Sequence, residues 1–312
     1  MTRSRRKETL DLPAGIDYNR TNHLGVRDMP IMNIGSRYLL VWMLLLTAAV
    51  ALTAETTRSQ TRKIRVAIVQ FDAIPEEVDR NLNEMERLAR RAAAGRARWI
   101  VFHEGTVCDY TDNLEQLAEP VPEGKSTVRM ERLAKELDCY ISFGLSEKDR
   151  DRRYITQVFV GSEGYFYHYR KTWLHKSPED LGFRNEFARY DPGTGPELFS
   201  IDGVRATCFI CADAMAPRCI QRAKLLQPQV VFYPVNIATK DPTWVREIIS
   251  DRAKQINAPL VTANRVGASW VHRDANGGSA IYSSQGTLLA GANSVGREEI
   301  VFHDLEIAPR DP

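Results

Sequence analysis

The stretch from Ile64 to Glu104 (IRVAIVQFDAIPEEVDRNLNEMERLARRAAAGRARWIVFHE) decides the fold. Its first seven residues, Ile64 to Gln70, form a short β-branched run of the kind that makes a buried strand. From Glu76 to Ala94 the apolar positions fall at Val78, Leu82, Met85, Ala89 and Ala92. Spacings of four and three put them on one face of a helix. Gly95 breaks that helix, and Trp99 to Phe102 reads as a second strand closing on His103-Glu104. Strand, helix, strand is the unit of a parallel sheet.

Outward from this unit the scheme repeats. A helix is predicted around Ser126–Leu137 and a strand around Tyr140–Leu145. Tyr154–Val160, a Gly161–Gly164 turn and Tyr165–Tyr169 predict an antiparallel hairpin, with Lys171 just beyond it. The mixed-sign run Lys148–Arg153 (KDRDRR) reads as a solvated hairpin tip. Val204–Ile210 is a strand ending at Cys211, followed by a helix near Pro217–Leu226 and a strand at Val230–Val235. A helix over Trp244–Ile256, a strand at Leu260–Ala263 and short strands from Ser279 to Leu305 complete the pattern. No Gly-, Pro- or Ser-rich linker and no repeat follows residue 62. Two sheets covered by helices accommodate these elements better than one open sheet. The expectation is a single α/β domain over residues 62–308, a four-layer αββα sandwich of two mixed sheets covered by helices.

Composition excludes several functions. Of 312 residues, 43% are hydrophobic and 26% charged, a globular balance rather than a disordered one. Lys and Arg (42) nearly cancel Asp and Glu (40), so no global field recruits nucleic acid. No Gly-rich phosphate loop follows the first strand. No Cys/His spacing suggests a metal, and no cofactor is called for.

The N-terminus is different in kind. Residues 1–37 form a polar extension, longer than an ordinary secretion signal has in front of its apolar run; Met29 or Met32 as the true start would give the usual layout. Tyr38 to Ala54 (YLLVWMLLLTAAVALTA) is an uncharged apolar segment preceded by Arg37. It fits a cleaved signal peptide, with Ala49-Val50-Ala51 as a cleavage site, or a retained membrane anchor, with a buried core helix as the third reading. Either of the first two takes the working domain out of the cytoplasm, to the periplasm, the exterior or a membrane surface. The five cysteines, at 108, 139, 208, 211 and 219, leave at least one thiol unpaired.

Three polar residues stand at the ends of predicted strands: Glu104, Lys171 and Cys211. An ionised thiol is a good acyl acceptor, a carboxylate can take its proton, and an ammonium can favour the thiolate and hold an oxyanion. Each residue alone has an ordinary reading: a small buried hydrophobe, a surface carboxylate, a solvated strand-edge lysine. Their surroundings change that.

From about Ile64 to Leu305 the chain resembles the nitrilase superfamily of carbon–nitrogen hydrolases, in its amidase and N-carbamoyl-amine hydrolase branch. The resemblance rests on Trp99–Glu104, on Tyr169-Arg170-Lys171-Thr172, and on Thr207–Cys211-Ala212-Asp213, supported in order by Gln70, Asn81, Glu186, Pro192-Gly193, Ala263–Gly267, Gly278-Ser279 and Ser284–Gly286. It implies Glu104 as general base and then acid, Lys171 as oxyanion stabiliser and Cys211 as nucleophile. It implies also that Glu186 positions the lysine and that the Ala212 N–H is a second oxyanion donor; a surface ion pair with Arg184 or Arg189 is the alternative for Glu186. The substrate implied is a small amide or N-carbamoyl amine, cleaved through a Cys211 thioester, and a homo-oligomer is expected.

Departures from the family pattern bear on substrate. His103 stands for a proline, as a polar contact or as packing; Ala212 for a bulky aromatic; Trp173 for a histidine, with His175 two residues on; Ala216 for a phenylalanine. Arg218 stands for a glutamate, and could clamp a substrate carboxylate or simply face solvent. Asn236, beyond the Val230–Val235 strand, joins His103 and Arg218 as a candidate substrate contact. Cys211-Ala212-Asp213 lacks the Cys-Trp-Glu signature of true nitrilases, which favours amides over nitriles. Acyl transfer, a catalytically inactive binding protein and a Cys208–Cys211 redox pair are the competing readings. Cysteines three apart on a strand point to opposite faces, which argues against the last.

Overall fold

In a computed structural model of the chain the described residues are 61–176, 185–237, 239, 241–268 and 275–308. The Tyr38–Ala54 segment and the polar extension before it lie outside them. No helix among the described residues is long and apolar enough to cross a membrane.

Fourteen strands are seen among the described residues. They are β1 (Arg62–Gln70), β2 (Trp99–Val101), β3 (Tyr140–Asp149), β4 (Arg152–Gly161), β5 (Gly164–Arg170), β6 (Phe199–Ile201) and β7 (Val204–Cys208). The second half holds β8 (Val230–Phe232), β9 (Leu260–Thr262), β10 (Val266–Gly267), β11 (Ala275–Asn276), β12 (Ala280–Tyr282), β13 (Leu288–Gly291) and β14 (Glu299–Ile307). Helices are α1 (Val78–Ala94), α2 (Leu114–Leu117), α3 (Lys125–Leu137), α4 (Glu186–Arg189), α5 (Pro217–Leu226) and α6 (Pro242–Ile256). One six-stranded sheet has the order β14-β1-β2-β3-β4-β5 and the other β13-β12-β9-β8-β7-β6. Each has a parallel triplet at its centre, β1-β2-β3 and β7-β8-β9, with antiparallel strands outside.

Side-chain alternation builds the layers. In β1, Ile64, Val66 and Ile68 enter the core between the sheets, while Ala67 and Val69 enter the core beneath α1 and α3. Trp99 and Val101 against Ile100 and Phe102 repeat the division, as the period of two requires. Helix α1 buries Val78, Leu82, Met85, Leu88, Ala89 and Ala92. Each large side chain among them contributes roughly 1.5–3 kcal/mol of apolar burial. On the other sheet, Ile220 and Ala223 of α5 and Val245, Ile249 and Ala253 of α6 join the core of Val230, Val231 and Phe232. Helices, sheet, sheet, helices: the four-layer αββα sandwich is the architecture observed.

Two strands end earlier than their apolar runs. The predicted strand to Ile210 stops at Cys208, and Asp213 Oδ2 takes the Ile210 N–H at 2.9 Å. The run to Val235 stops as a strand at Phe232; Pro234 has no N–H to give a ladder, and its carbonyl accepts the Cys211 N–H at 3.1 Å. The Lys148–Arg153 run does form the β3–β4 hairpin tip, with Arg150 at φ +56° in its turn.

Candidate active site

Glu104 and Cys211 follow β2 and β7 by three residues each, Asn236 follows β8 by four, and Lys171 comes directly after β5. Three of the four thus sit beyond the carboxyl ends of central parallel strands, where open α/β sheets collect ligands. Close backbone packing supports the turns. A Cβ on Gly144 would lie 2.3 Å from the Gly105 nitrogen, and one on Gly193 would lie 2.2 Å from the Arg170 carbonyl oxygen. Only glycine lets β3 and the Pro192–Gly193 segment press that closely on the neighbours of Glu104 and Lys171.

Lys171 is completely buried and held between two carboxylates: its Nζ donates to Glu104 Oε1 at 2.8 Å and to Glu186 Oε1 at 2.7 Å. Tyr110 OH donates to the same two oxygens, at 3.2 Å and 2.5 Å. The second Glu186 oxygen accepts the His175 N–H at 2.8 Å. Glu186 is therefore buried in the cluster, and Arg189 pairs with Asp112 instead. Glu104 Oε2 is buried and has no hydrogen-bond partner in the protein, so it is the oxygen with capacity to take a proton.

Cys211 opens a 3₁₀ turn, Cys211–Met215, with φ +43°. A non-glycine residue there is strained, and it persists because the surroundings overdetermine it. Asp213 supplies much of the constraint. Its Oδ1 accepts the Thr172 and Trp173 N–H groups at 3.0 and 2.6 Å, and its Oδ2 accepts Tyr169 OH at 2.8 Å. One buried carboxylate thereby ties the Cys211 turn to the segment after Lys171. Ala212 N–H, among the first of the turn, has no carbonyl within the turn to bond.

The electrostatics follow from two carboxylates, one ammonium and little water. Burial pushes the Glu104 carboxyl up, Lys171 opposes this, and Glu186 adds to it. Burial acts to lower the Lys171 ammonium, but Glu104 and Glu186 outweigh it and hold the group charged. Burial and Glu104 raise the Cys211 thiol well above its usual range despite Lys171, with Glu186 adding to the rise. Cys211 therefore rests as a neutral thiol. Tyr110 likewise stays protonated, by burial and by Glu104 and Glu186.

The structure brings Glu104, Lys171, Cys211 and Glu186 together, with Ala212 next in the turn that Cys211 opens. It does not bring the side chains of His103 and Arg218 to them. His103 is fully buried 6.0 Å from the Phe71 ring, its Nδ1 2.8 Å from the Glu104 carbonyl oxygen. Burial, aided by Arg265, lowers its pKa to about 3, so it is a neutral packing residue. Arg218 is exposed, its guanidinium 5.2 Å from the centre of the Trp173 ring. Asn236 is buried, with Nδ2 donating to Asp109 Oδ1 at 2.8 Å. All five cysteines are free thiols. Among the described residues no group of three or more His, Cys, Asp or Glu side chains is arranged to hold a metal ion.

A carbon–nitrogen hydrolase family profile matches residues 65–309. The chain belongs to the carbon–nitrogen hydrolase family. Among relatives of this carbon–nitrogen hydrolase, a nitrilase of Pyrococcus abyssi is 28% identical over 209 residues, 65% of this chain and 76% of that one. An N-carbamoylputrescine amidase of Solanum lycopersicum is 27% identical over 265 residues, 78% of this chain and 86% of that one. In fold, the chain is similar to a nitrilase-superfamily amidase of Nesterenkonia AN1, crystallised as a cysteine-to-alanine mutant. The two share a TM-score of 0.70 and 21% identity, over 79% of this chain and 92% of that one.

Two residues of this carbon–nitrogen hydrolase site escaped the sequence reading. Tyr110 lies six residues past Glu104, in a stretch with no periodicity to mark it. Asp213 was visible as part of Cys-x-Asp, but its bonds to Thr172, Trp173 and Tyr169 cross forty or more residues of chain.

Proposed function

We propose that this carbon–nitrogen hydrolase cleaves a small amide or N-carbamoyl amine through a thioester on Cys211. The observation that carries the reading is Lys171, wholly buried between Glu104 and Glu186, beside a thiol on a strained turn. A buried ammonium with two carboxylates is costly to desolvate and has no packing advantage over an apolar trio. Its worth lies in chemistry.

Glu104 Oε2 takes the Cys211 proton as the sulfur attacks the carbonyl carbon. The raised pKa of Glu104 makes it a stronger base than an ordinary carboxylate. Lys171 and the Ala212 N–H stabilise the tetrahedral oxyanion. On collapse the C–N bond breaks, Glu104 returns the proton to the departing amine, and a thioester remains. Glu104 then takes a proton from water, the hydroxyl attacks the thioester, and the acid leaves as Cys211 recovers its proton. Glu186 and Tyr110 hold Lys171 and Glu104 throughout. The absence of an aromatic at Ala212 widens the space beside the sulfur, and the N-carbamoylputrescine amidases among the relatives make N-carbamoyl amines the first class to test.

The test is mass mapping after brief iodoacetamide treatment, with and without a panel of amides, N-carbamoyl amines and nitriles. Preferential alkylation of Cys211, blocked by a compound that is also turned over to an acid and an amine or ammonia, supports the reading. An unreactive Cys211 and no product from any compound overturn it and favour an inactive binding protein. The proposal extends to place and assembly: export or anchoring through Tyr38–Ala54, and a homo-oligomer. Cell fractionation checks the first and sedimentation of the catalytic domain the second.

A further inference from the structure

Glu104 and Cys211 belong to different sheets, and the apolar core between the sheets is non-directional. Proton transfer between them needs hydrogen-bond distance and therefore a directional link. The segment after β8 provides one side of it. Cys211 N–H donates to Pro234 O at 3.1 Å, Tyr233 OH donates to Cys211 O at 3.0 Å, and the Asn236 backbone N–H is directed at the Cys211 sulfur. Tyr233 and Pro234 thus hold Cys211 at its backbone oxygen and nitrogen, and the Asn236 backbone N–H favours its thiolate.

The Asn236 side chain reaches the other sheet. Its Nδ2 donates to Asp109 Oδ1 at 2.8 Å and lies 3.5 Å from the Glu104 carbonyl oxygen. Both neighbours only accept, so the amide must present its NH₂ there. Asp109 Oδ2 in turn accepts Arg265 Nη1 at 2.6 Å, and neither side chain is exposed. Arg265 is anchored further by the Ala73 and Val266 carbonyls. Asp109 has φ +55°, a conformation that costs a side-chain-bearing residue energy. A carboxylate in that strained, buried place is explained by the bonds to Asn236 and Arg265.

We infer that Asn236 is a positioning residue: locked to Asp109 and thereby to Arg265, it holds the segment that grips Cys211 in register with the turn that carries Glu104. This rests on the Cys211–Glu104 reading above. The groups facing the sulfur are Glu104 after β2, Lys171 after β5, Glu186 of α4 and the phenols of Tyr110 and Tyr233. None is altered by Asn236→Ala, and that variant adds no charge near the sulfur. Replacing Asn236 therefore acts on the sulfur through the placement of its backbone N–H.

The experiment measures the rate of Cys211 alkylation by iodoacetamide against pH in the full chain, with near-ultraviolet circular dichroism to confirm folding. Wild type is compared with Asn236→Ala, Asn236→Asp and the reciprocal pair Asp109→Asn/Asn236→Asp. In either single variant the midpoint of the profile should move up by about one unit, slowing Cys211 modification at neutral pH roughly tenfold. The pair restores one donor and one acceptor between the two positions, leaves the amide oxygen at position 109 to accept from Arg265 and keeps one negative charge in the cluster, and should return the profile to within about threefold of wild type. An unmoved midpoint in Asn236→Ala, or a pair no better than Asn236→Asp, overturns the inference. If both single variants fail to fold, a pair that also fails counts against it, and a folded pair with the wild-type profile supports it. An unreactive wild-type Cys211 would instead strike at the thioester reading itself.

Discussion

Two buried charge clusters lie on either side of the Glu104 turn, and they are built on different terms. In one, Asp109 has both carboxylate oxygens bonded, to Asn236 and to Arg265, and Arg265 pairs also with the half-exposed Asp72. In the other, Lys171 faces two carboxylates, an excess negative charge remains, and Glu104 Oε2 has no partner. The first leaves no oxygen of Asp109 open to take a proton. The second leaves an acceptor open beside a thiol. A buried carboxylate with both oxygens bonded reads as scaffold, and one with an open oxygen beside a thiol as a candidate reactive centre.

That contrast can be broken at four points. Cys211→Ala should abolish turnover, by about 10⁴-fold or more, with circular dichroism unchanged. Residual turnover near wild type would remove the reactive centre from the comparison altogether. Arg265→Met leaves the Asp109 carboxylate buried and uncompensated, and should cost about 3–5 kcal/mol of stability in chemical denaturation. A loss as small as that of a surface change would mean the scaffold cluster is no scaffold.

Glu186→Gln sharpens the comparison through pH. The Glu186 charge is one of the causes that raise Glu104, so its removal lowers the Glu104 pKa. With Glu104 as the base proposed above, activity needs it ionised, so the acid limb of kcat/KM should move to lower pH by about one unit, a tenfold gain on that limb relative to the plateau. A limb that stays put or moves up would assign the titration to another group. The smallest effect belongs outside both clusters. Trp173→Ala removes the surface stacking with Arg218 and should cost about 0.5–1 kcal/mol at most, read as a small shift in the unfolding midpoint.

Much of the architecture was legible because it is periodic. The alternation in Ile64–Val69 and the four-three spacing through α1 announce their buried faces locally, and the structure uses both faces of β1 as that alternation requires. Some short elements were not legible: α2, α4, β6, β10 and β11 run two to four residues, too few for a period to show, and they lack the continuous apolar runs that marked β2, β8 and β9. Strand ends were missed where tertiary bonds intervened, as at Ile210, whose N–H goes to Asp213.

The sequence by itself determined the α/β layering and the residue types at the strand ends, with Glu104, Lys171 and Cys211 marked by family motif. Those depend on neighbours in the chain and on burial pattern. Only the tertiary structure decided that His103 packs against Phe71, that Arg218 lies on Trp173, that Tyr110 bonds Glu104 and Glu186, that Asp213 ties the Cys211 turn to Thr172 and Trp173, and that Asn236 bonds Asp109. Their partners lie up to 132 residues away in the chain. Hydrogen bonds depend on distance in space, and sequence separation carries no record of it.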